Sequence, residues 1–331
     1  VWTCIKKLKK QFFLGNRSSF MGERVHTKEK LLKNLLDLGV KKGDLLNVKC
    51  SLRSIGKIEG GAETLVAALV EAIGEEGTIV TDSFVSVYTQ GKSQKMGVSS
   101  ENSPSYAGAL ANAMLKHPSV YRSSHPIQKF AAIGAAAKEL TDNHDENSYA
   151  YDILRVMAHR NGKNLKIGSD VKVVGVGTTH VAAGIMGFKQ YRPVVGRHFI
   201  NSEGEKKFFP IDWSGLCAGG LIKFIPFYEE NGNILHKGMV GNSEAKITSM
   251  EGTLKTELEI FKKDPAFFMC KDPNCVGCRL TWEMKKESKI MFLIKSLFKG
   301  KFKQALRTVG FFFVKHRYLP HKNSNKPPKE V

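Results

Sequence analysis

Three stretches of the sequence bring together residue types that can hold an anion or move a proton. The first is VKCSLRSIGKIEGGAETLVAAL, residues 48–69. It reads as the end of a strand, a loop with Gly56, Gly60 and Gly61, and the start of a helix. Backbone amides at such a helix start favour an anion, and glycine lets a phosphate approach the chain closely. It is not a phosphate-binding loop of the Gly-Lys-Ser/Thr kind, nor the dinucleotide fingerprint. The second, residues 103–134, carries Arg122, Ser123, Ser124 and His125 ahead of Pro126. A guanidinium and hydroxyls suit phosphate. The third is VKVVGVGTTHVAAG, residues 171–184, in which His180 follows an apolar run and a Gly-Thr-Thr turn. Ends of strands are where layered α/β proteins place reactive groups. Each stretch also has a plain structural reading: a strand–helix connection, a solvated turn, a structural histidine.

A fourth stretch, CKDPNCVGC, sets Cys270, Cys275 and Cys278 in a Cys-x4-Cys-x2-Cys pattern. With Cys217 or a histidine as fourth ligand this suits zinc. The spacing also matches part of a plant-type ferredoxin set, but the glycine-rich surroundings of that set are absent. Three reduced thiols in a turn are the remaining alternative. Six cysteines in 331 residues are too few for a disulfide framework, which points to a reducing, cytoplasmic compartment.

These groups need a scaffold, and the hydrophobic pattern supplies one. Helices are expected at 28–38 after the Thr27 cap, at 62–73, 109–115, 151–158 and 248–263, and in AAAKEL. Strands are expected at 44–49, 78–81 and 171–176, and in KFAAIG. Residues 85–106 read as a loop, and 189–240 favours strands and turns. Alternating strands and helices predict an α/β class: a layered sheet with helices on both faces, a strand-rich second half and a basic helical tail. A chain that is 42% hydrophobic and 25% charged forms a core, which excludes disorder as its main character.

The net charge of +20 is uneven: residues 1–26 carry +5 and residues 285–331 carry +11, leaving +4 for the rest. The expected units are a basic N-terminal extension (1–26), a catalytic domain with the cysteine cluster (27–284) and a basic amphipathic extension (285–331). The first residues lack the long apolar stretch and cleavage site of a secretory signal, and no apolar run reaches the ~18 residues of a membrane span. The chain begins at Val1, so its natural start is left open. Bulky apolar residues between lysines over 288–315, interrupted by Gly300 and Gly310, suit an anionic membrane surface or a helix docked on the body. No nucleic-acid recognition motif accompanies the charge, so nucleic acid is not an expected partner.

Taken in order, the first three stretches, with TDNHDE (141–146) and GMVGNSEAKI (238–247), resemble the aminoglycoside 3-N-acetyltransferase family over about residues 28–268. The loop of the other large acetyltransferase superfamily is absent, since Arg53-Ser-Ile-Gly56-Lys-Ile58 holds only its first half. The resemblance implies transfer of an acetyl group from acetyl-CoA to an amine of an aminoglycoside or amino sugar. It implies a coenzyme cradle of Ser51, Leu52, Arg53, Gly60, Gly61, Arg122, Ser123 and His125. It makes His180 the base, with Thr178, Thr179 or a nearby amide as oxyanion donor.

Two motifs depart from the family. Its His-x-Ala-Glu becomes His180-Val-Ala-Ala183, and its Val-His-Ser-Ser-Leu becomes Val48-Lys49-Cys50-Ser51-Leu52. The missing carboxylate and the basic ends favour an anionic acceptor, such as a nucleotide- or lipid-linked amino sugar in surface polysaccharide assembly, over a polycation. A non-catalytic relative that binds coenzyme or a membrane partner is the alternative of a different class. A homodimer is a further expectation.

Overall fold

The computed structural model describes residues 25–170, 173, 175–211, 215–280, 282, 288–298 and 315–318. In chain order the elements are α1 (Lys28–Asp37), β1 (Leu45–Cys50), the helical turn α2 (Leu52–Ile55), α3 (Ala62–Ile73), β2 (Thr78–Asp82), β3 (Tyr88–Thr89), α4 (Gln90–Lys95), α5 (Ala109–Met114), β4 (Tyr121–Arg122), β5 (Phe130–Gly134), α6 (Ala137–Asp142), α7 (Asp152–His159) and β6 (Lys163–Ile167). The second half continues with α8 (Thr178–Ile185), β7 (Phe188–Ile200), β8 (Lys206–Ile211), α9 (Ala218–Leu221), a 3₁₀ turn, α10 (Ile225–Glu230), β9 (Ile234–Val240), β10 (Ser243–Ser249), α11 (Met250–Lys263), α12 (Val276–Leu280), α13 (Lys289–Phe298) and β11 (Lys315–Tyr318).

Seven strands form one sheet in the order β4-β5-β2-β1-β6-β10-β9. Its centre is parallel, β2 and β6 flanking β1; β5 and β10 then run antiparallel on either side. A parallel centre is covered on both faces and reads as continuous apolar sequence. Leu46, Val48, Ile79 and Val80 are accordingly buried. One face packs Leu31, Leu35, Leu65, Leu69 and Met114; the other packs Leu154, Met157, Val181, Leu254 and Phe261. The expected α/β layering, with helices on both faces, is what the structure has. A smaller sheet places β7 between β11 and β3, with β8 also paired to β7.

Local signals account for the element ends. The Thr27 hydroxyl accepts from the Lys30 amide and the Ser249 hydroxyl from the Gly252 amide, the N-cap arrangement. One strand is misplaced. The strand placed at 171–176 is instead β6, at 163–167. The apolar run VKVVGV is broken by Gly175 and then Gly177, both at positive φ, and Val173 lies in a bend; residues 171, 172 and 174 lie outside the described residues. Val173 and Val176 are buried outside any strand. The segment 85–106 contains β3 and α4 rather than loop alone, and 218–230 is helical. Of the N-terminal extension only residues 25 and 26 are described. In the C-terminal one, α13 is helical as expected, while β11 adds a strand to β7.

Gly134 ends β5 with φ of +123°, and a Cβ there would lie 2.0 Å from the carbonyl oxygen of Gly77. Backbone meets backbone, so no rotamer relieves the clash. Gly43, at φ +80°, has open space around it. Gly43→Ala should cost the ~1–2 kcal/mol of left-handed backbone strain, and Gly134→Ala clearly more. Equal thermal midpoints for the two variants would contradict this packing.

Candidate active site

The polar groups converge at the C-terminal ends of the three parallel strands, where open α/β sheets bind ligands. Beyond β6, Gly177 (φ +88°) turns the chain into α8. A side chain at Gly177 would meet Leu154, Asn47 and the Lys49 ammonium, so the turn lies directly on β1. The Asn47 amide holds it by donating to the Val176 carbonyl at 3.3 Å, and pairs with Asn164 of β6 at 2.9 Å.

His180 sits in the first turn of α8, half-buried. Its imidazole stacks on Tyr151 with ring centres 4.5 Å apart and planes within 5°. The Tyr149 hydroxyl donates to the His180 carbonyl at 2.9 Å. Ring and backbone are therefore both fixed. Burial and then the charge of nearby Asp82 push the Tyr151 phenol well above its ordinary range, so it stays neutral. Asp82 ends β2, pairs with the Lys49 ammonium at 3.1 Å and accepts from the Gln128 amide at 3.3 Å. His180, Tyr151, Asp82 and Lys49 thus form one rim.

The structure separates the other predicted residues by role. Ser51 precedes α2, and its amide bonds the Ile167 carbonyl at 2.8 Å; Arg53, Gly60 and Gly61 are exposed and Leu52 half-buried. Gly60 and Gly61, both at positive φ, lead into α3. The β9–β10 turn braces this loop: the Asn242 amide bonds the Ile55 carbonyl, and the Ser243 hydroxyl donates to Ser54 at 2.9 Å. Arg122, Ser123 and His125 lie two strands away and face inward. Arg122 donates to the carbonyls of Ser83, Glu101 and Ser103; burial lowers its pKa to about 10. The Ser123 hydroxyl accepts from the Phe130 amide at 2.9 Å and meets His144 at 3.0 Å. His125 Nδ1 accepts from the amides of Ile127 and Gln128. Burial, with His144 and Lys129 nearby, pushes the His125 pKa far down. Ser123 and His125 are sealed, so they shape the site from within instead of lining it.

Thr179 also faces inward. Thr178 and Thr179 are buried, and their hydroxyls donate to Glu257 Oε1 of α11 at 3.1 and 2.6 Å. The Tyr228 hydroxyl of α10 donates to the same oxygen. These hydroxyls are committed to a carboxylate and are not turned toward a reacting carbonyl. Burial pushes the Glu257 pKa up to about 7, and among the described residues its Oε2 has no hydrogen-bond partner. Asp82, Tyr151 and Glu257 were not singled out from the sequence. Asp82 had a usable signal, a carboxylate at the end of an apolar strand; Glu257 had none, being one of several acidic residues on its helix.

The cysteines do meet: Cys217 joins Cys270, Cys275 and Cys278, with all four sulfurs within 4.8 Å of one another.

The chain matches the family model for aminoglycoside 3-N-acetyltransferase over residues 48–262. It belongs to that family. An aminoglycoside N(3)-acetyltransferase III from Salmonella sp is 34% identical over 135 residues, 37% of this chain and 47% of that protein. The YokD protein of Bacillus subtilis, described as aminoglycoside N(3')-acetyltransferase-like, is 30% identical over 136 residues, 36% of this chain and 50% of that protein. The chain thus spans about half the length of the curated relatives it matches. Among solved structures, a variant of aminoglycoside acetyltransferase AAC(3)-IVa in complex with gentamicin aligns with a TM-score of 0.66 at 23% identity, over 78% of this chain and 96% of that one. AAC-IIIb with CoASH aligns at 0.63 and 19%, over 72% and 97%. At these identities the likeness shows a shared fold.

Glu257 predicts a pH signature. Its folded pKa, about 7, lies above the unfolded value near 4.5, so the folded state binds more protons between these limits. Its contribution to stability is therefore fully present below pH ~4.5 and is lost as pH rises through ~7. The difference in unfolding free energy between the native chain and Glu257→Gln should change across this window and be flat above it. A flat difference from pH 4 to 8 would remove the buried, raised carboxylate.

Proposed function

We propose that the chain is an acetyl-CoA-dependent N-acetyltransferase in which His180 is the general base. The observation that carries this is the imidazole fixed on Tyr151 at the strand ends, in a chain of this family. An amine must lose a proton to attack a thioester, and imidazole titrates near working pH. The nitrogen–carbon bond forms, the proton passes to His180, and the tetrahedral oxyanion collapses with loss of the thiolate. Acetyl-CoA supplies the activated acyl group. The loop 51–61 is the cradle for its phosphates, with Gly60 and Gly61 opening the backbone ahead of α3 and Arg53 offering a cation. Arg122, Ser123 and His125 hold the neighbouring loops that shape this cradle. The Lys49 ammonium, close to the Gly177 turn, is the cation placed to meet the developing oxyanion.

For the acceptor, aminoglycosides follow from the family, and solved structures of fold relatives include sisomicin and gentamicin complexes. Two features of this chain favour an anionic amino sugar instead. Asp82 is already paired with Lys49, and Ala183, where the family has a glutamate, is fully buried. Thiol release from acetyl-CoA against aminoglycosides and nucleotide-linked amino sugars decides between them. His180→Ala should lower kcat by about 10²–10⁴-fold and leave coenzyme affinity unchanged. Unaltered turnover would sink the role of His180. Coenzyme binding without release in either panel would favour the non-catalytic reading.

Membrane contact through the basic tail rests on α13. Ile290, Met291, Ile294, Leu297 and Phe298 are exposed, while Phe292 and Ser296 turn inward. The exposed five follow helical spacing and share one face. No helix of the described residues is long and apolar enough to cross a membrane, so the contact proposed is peripheral. The full chain should float with vesicles containing anionic phospholipid, less so in high salt, and Ile294→Glu should weaken it. Binding indifferent to both would remove the idea.

A further inference from the structure

The cysteine cluster lies apart from the rim around His180 and serves none of its chemistry. Cys217 sits immediately before α9 and Cys275 immediately before α12; Cys278 lies one turn further along α12. Residues three apart on a helix share a face, so Cys275 and Cys278 point together. Cys270 comes from the segment leaving α11. Four ligands thus reach one point from two parts of the chain, 217 and 270–278.

The spacing selects the occupant. The Cys217 and Cys275 sulfurs are 3.8 Å apart, and all four lie within 4.8 Å of one another. Zinc–sulfur bonds of about 2.3 Å in a tetrahedron put sulfurs about 3.8 Å apart. A disulfide would need about 2.05 Å. An iron–sulfur cluster places several irons and sulfides between its cysteines and needs them spread wider.

The surroundings are built for thiolates. The Cys270 amide points at the Cys278 sulfur at 3.3 Å, and hydrogen bonds of this kind to ligand sulfurs orient and stabilise them. Arg279 donates to the carbonyls of Cys270 and Asp272, tightening the loop. Lys223, just after α9, donates to the carbonyls of Phe267 and Met269. Close packing leaves no slack: a side chain at Gly219 would lie 3.3 Å from the Cys270 Cβ, and one at Gly220 would strike the Phe268 carbonyl.

We propose that Cys217, Cys270, Cys275 and Cys278 bind one zinc ion in a closed tetrathiolate site that staples the segment after α11 to α9. With four protein ligands it has no open position for substrate and is structural. The ion thereby fixes the run from α9 into α10, which carries Tyr228 to Glu257. This inference is independent of acetyl transfer.

The test is metal analysis of the full chain, purified without chelator or affinity metal, together with Cys275→Ser, Cys217→Ser and, as control, Cys50→Ser, which lies outside the cluster. The native chain and Cys50→Ser should hold about one zinc per chain, and the two cluster variants little. A thiol-modifying mercurial should release that zinc from the native chain, and strong chelation should lower its thermal midpoint. Should the variants fail to fold, zinc content and mercurial release of the native chain still decide. Iron in place of zinc, a disulfide among the four, or four metal-free thiols in the folded chain would each overturn the proposal.

Discussion

The N-terminal end of α8 depends on one buried carboxylate. Glu257 is fully enclosed, and removing such a group from water is costly unless it is hydrogen-bonded. Three hydroxyls, from Thr178, Thr179 and Tyr228, meet a single oxygen. The set ties α8, α10 and α11 at one point, directly below the turn that presents His180. Hydrophobic contacts would hold these helices with less directional precision. Hydroxyl-to-carboxylate bonds fix rotation about the helix axis as well as distance. The raised pKa of Glu257 is the measure of what desolvation costs here, and rotation of His180 is what the arrangement restrains.

A second network fixes the same helix from the opposite side. Ser123 meets His144, His144 meets the Tyr149 carbonyl, and the Tyr149 hydroxyl meets the His180 carbonyl. His125 stacks on His144 at 5.0 Å. Burial pushes the His144 pKa down to about 4, so the stacked rings are neutral and their like charges never meet. Segments far apart in the sequence, around 123, 144 and 180, are thus parts of one support. The polar residues of the second motif hold His180 in place, and the glycines of the first are exposed.

Much of this was legible. Helices α1, α3 and α11 and strands β1, β2 and β5 follow from apolar periodicity and capping residues, because packing a layered sheet imposes those patterns. His180 and the Cys270, Cys275 and Cys278 motif stood out in the sequence, since strand-end placement and close cysteine spacing have short-range signatures, whereas Cys217 joins them only in the fold. The misplaced strand shows the limit. VKVVGV and KNLKI compete for the slot beside β1. The less apolar one wins because Asn164 pairs with Asn47 and Thr248 across three strands, a bond between residues more than eighty apart. Glu257, Tyr151 and the inward turn of Ser123 and His125 share that character: their roles exist only once distant segments meet.

The same geometry bears on the acceptor. A glutamate at position 183 would enter a site that here holds a fully buried alanine packed among Val181, Leu154 and their neighbours. The chain has instead placed a buried carboxylate at 257, hydrogen-bonded inward, and has neutralised Asp82 with Lys49 across adjacent strand ends. Neither carboxylate is left to attract a polycation. Lys49 stands where the family pattern has a histidine, and its charge is matched by Asp82. Carboxylates that are buried or already paired draw cations weakly.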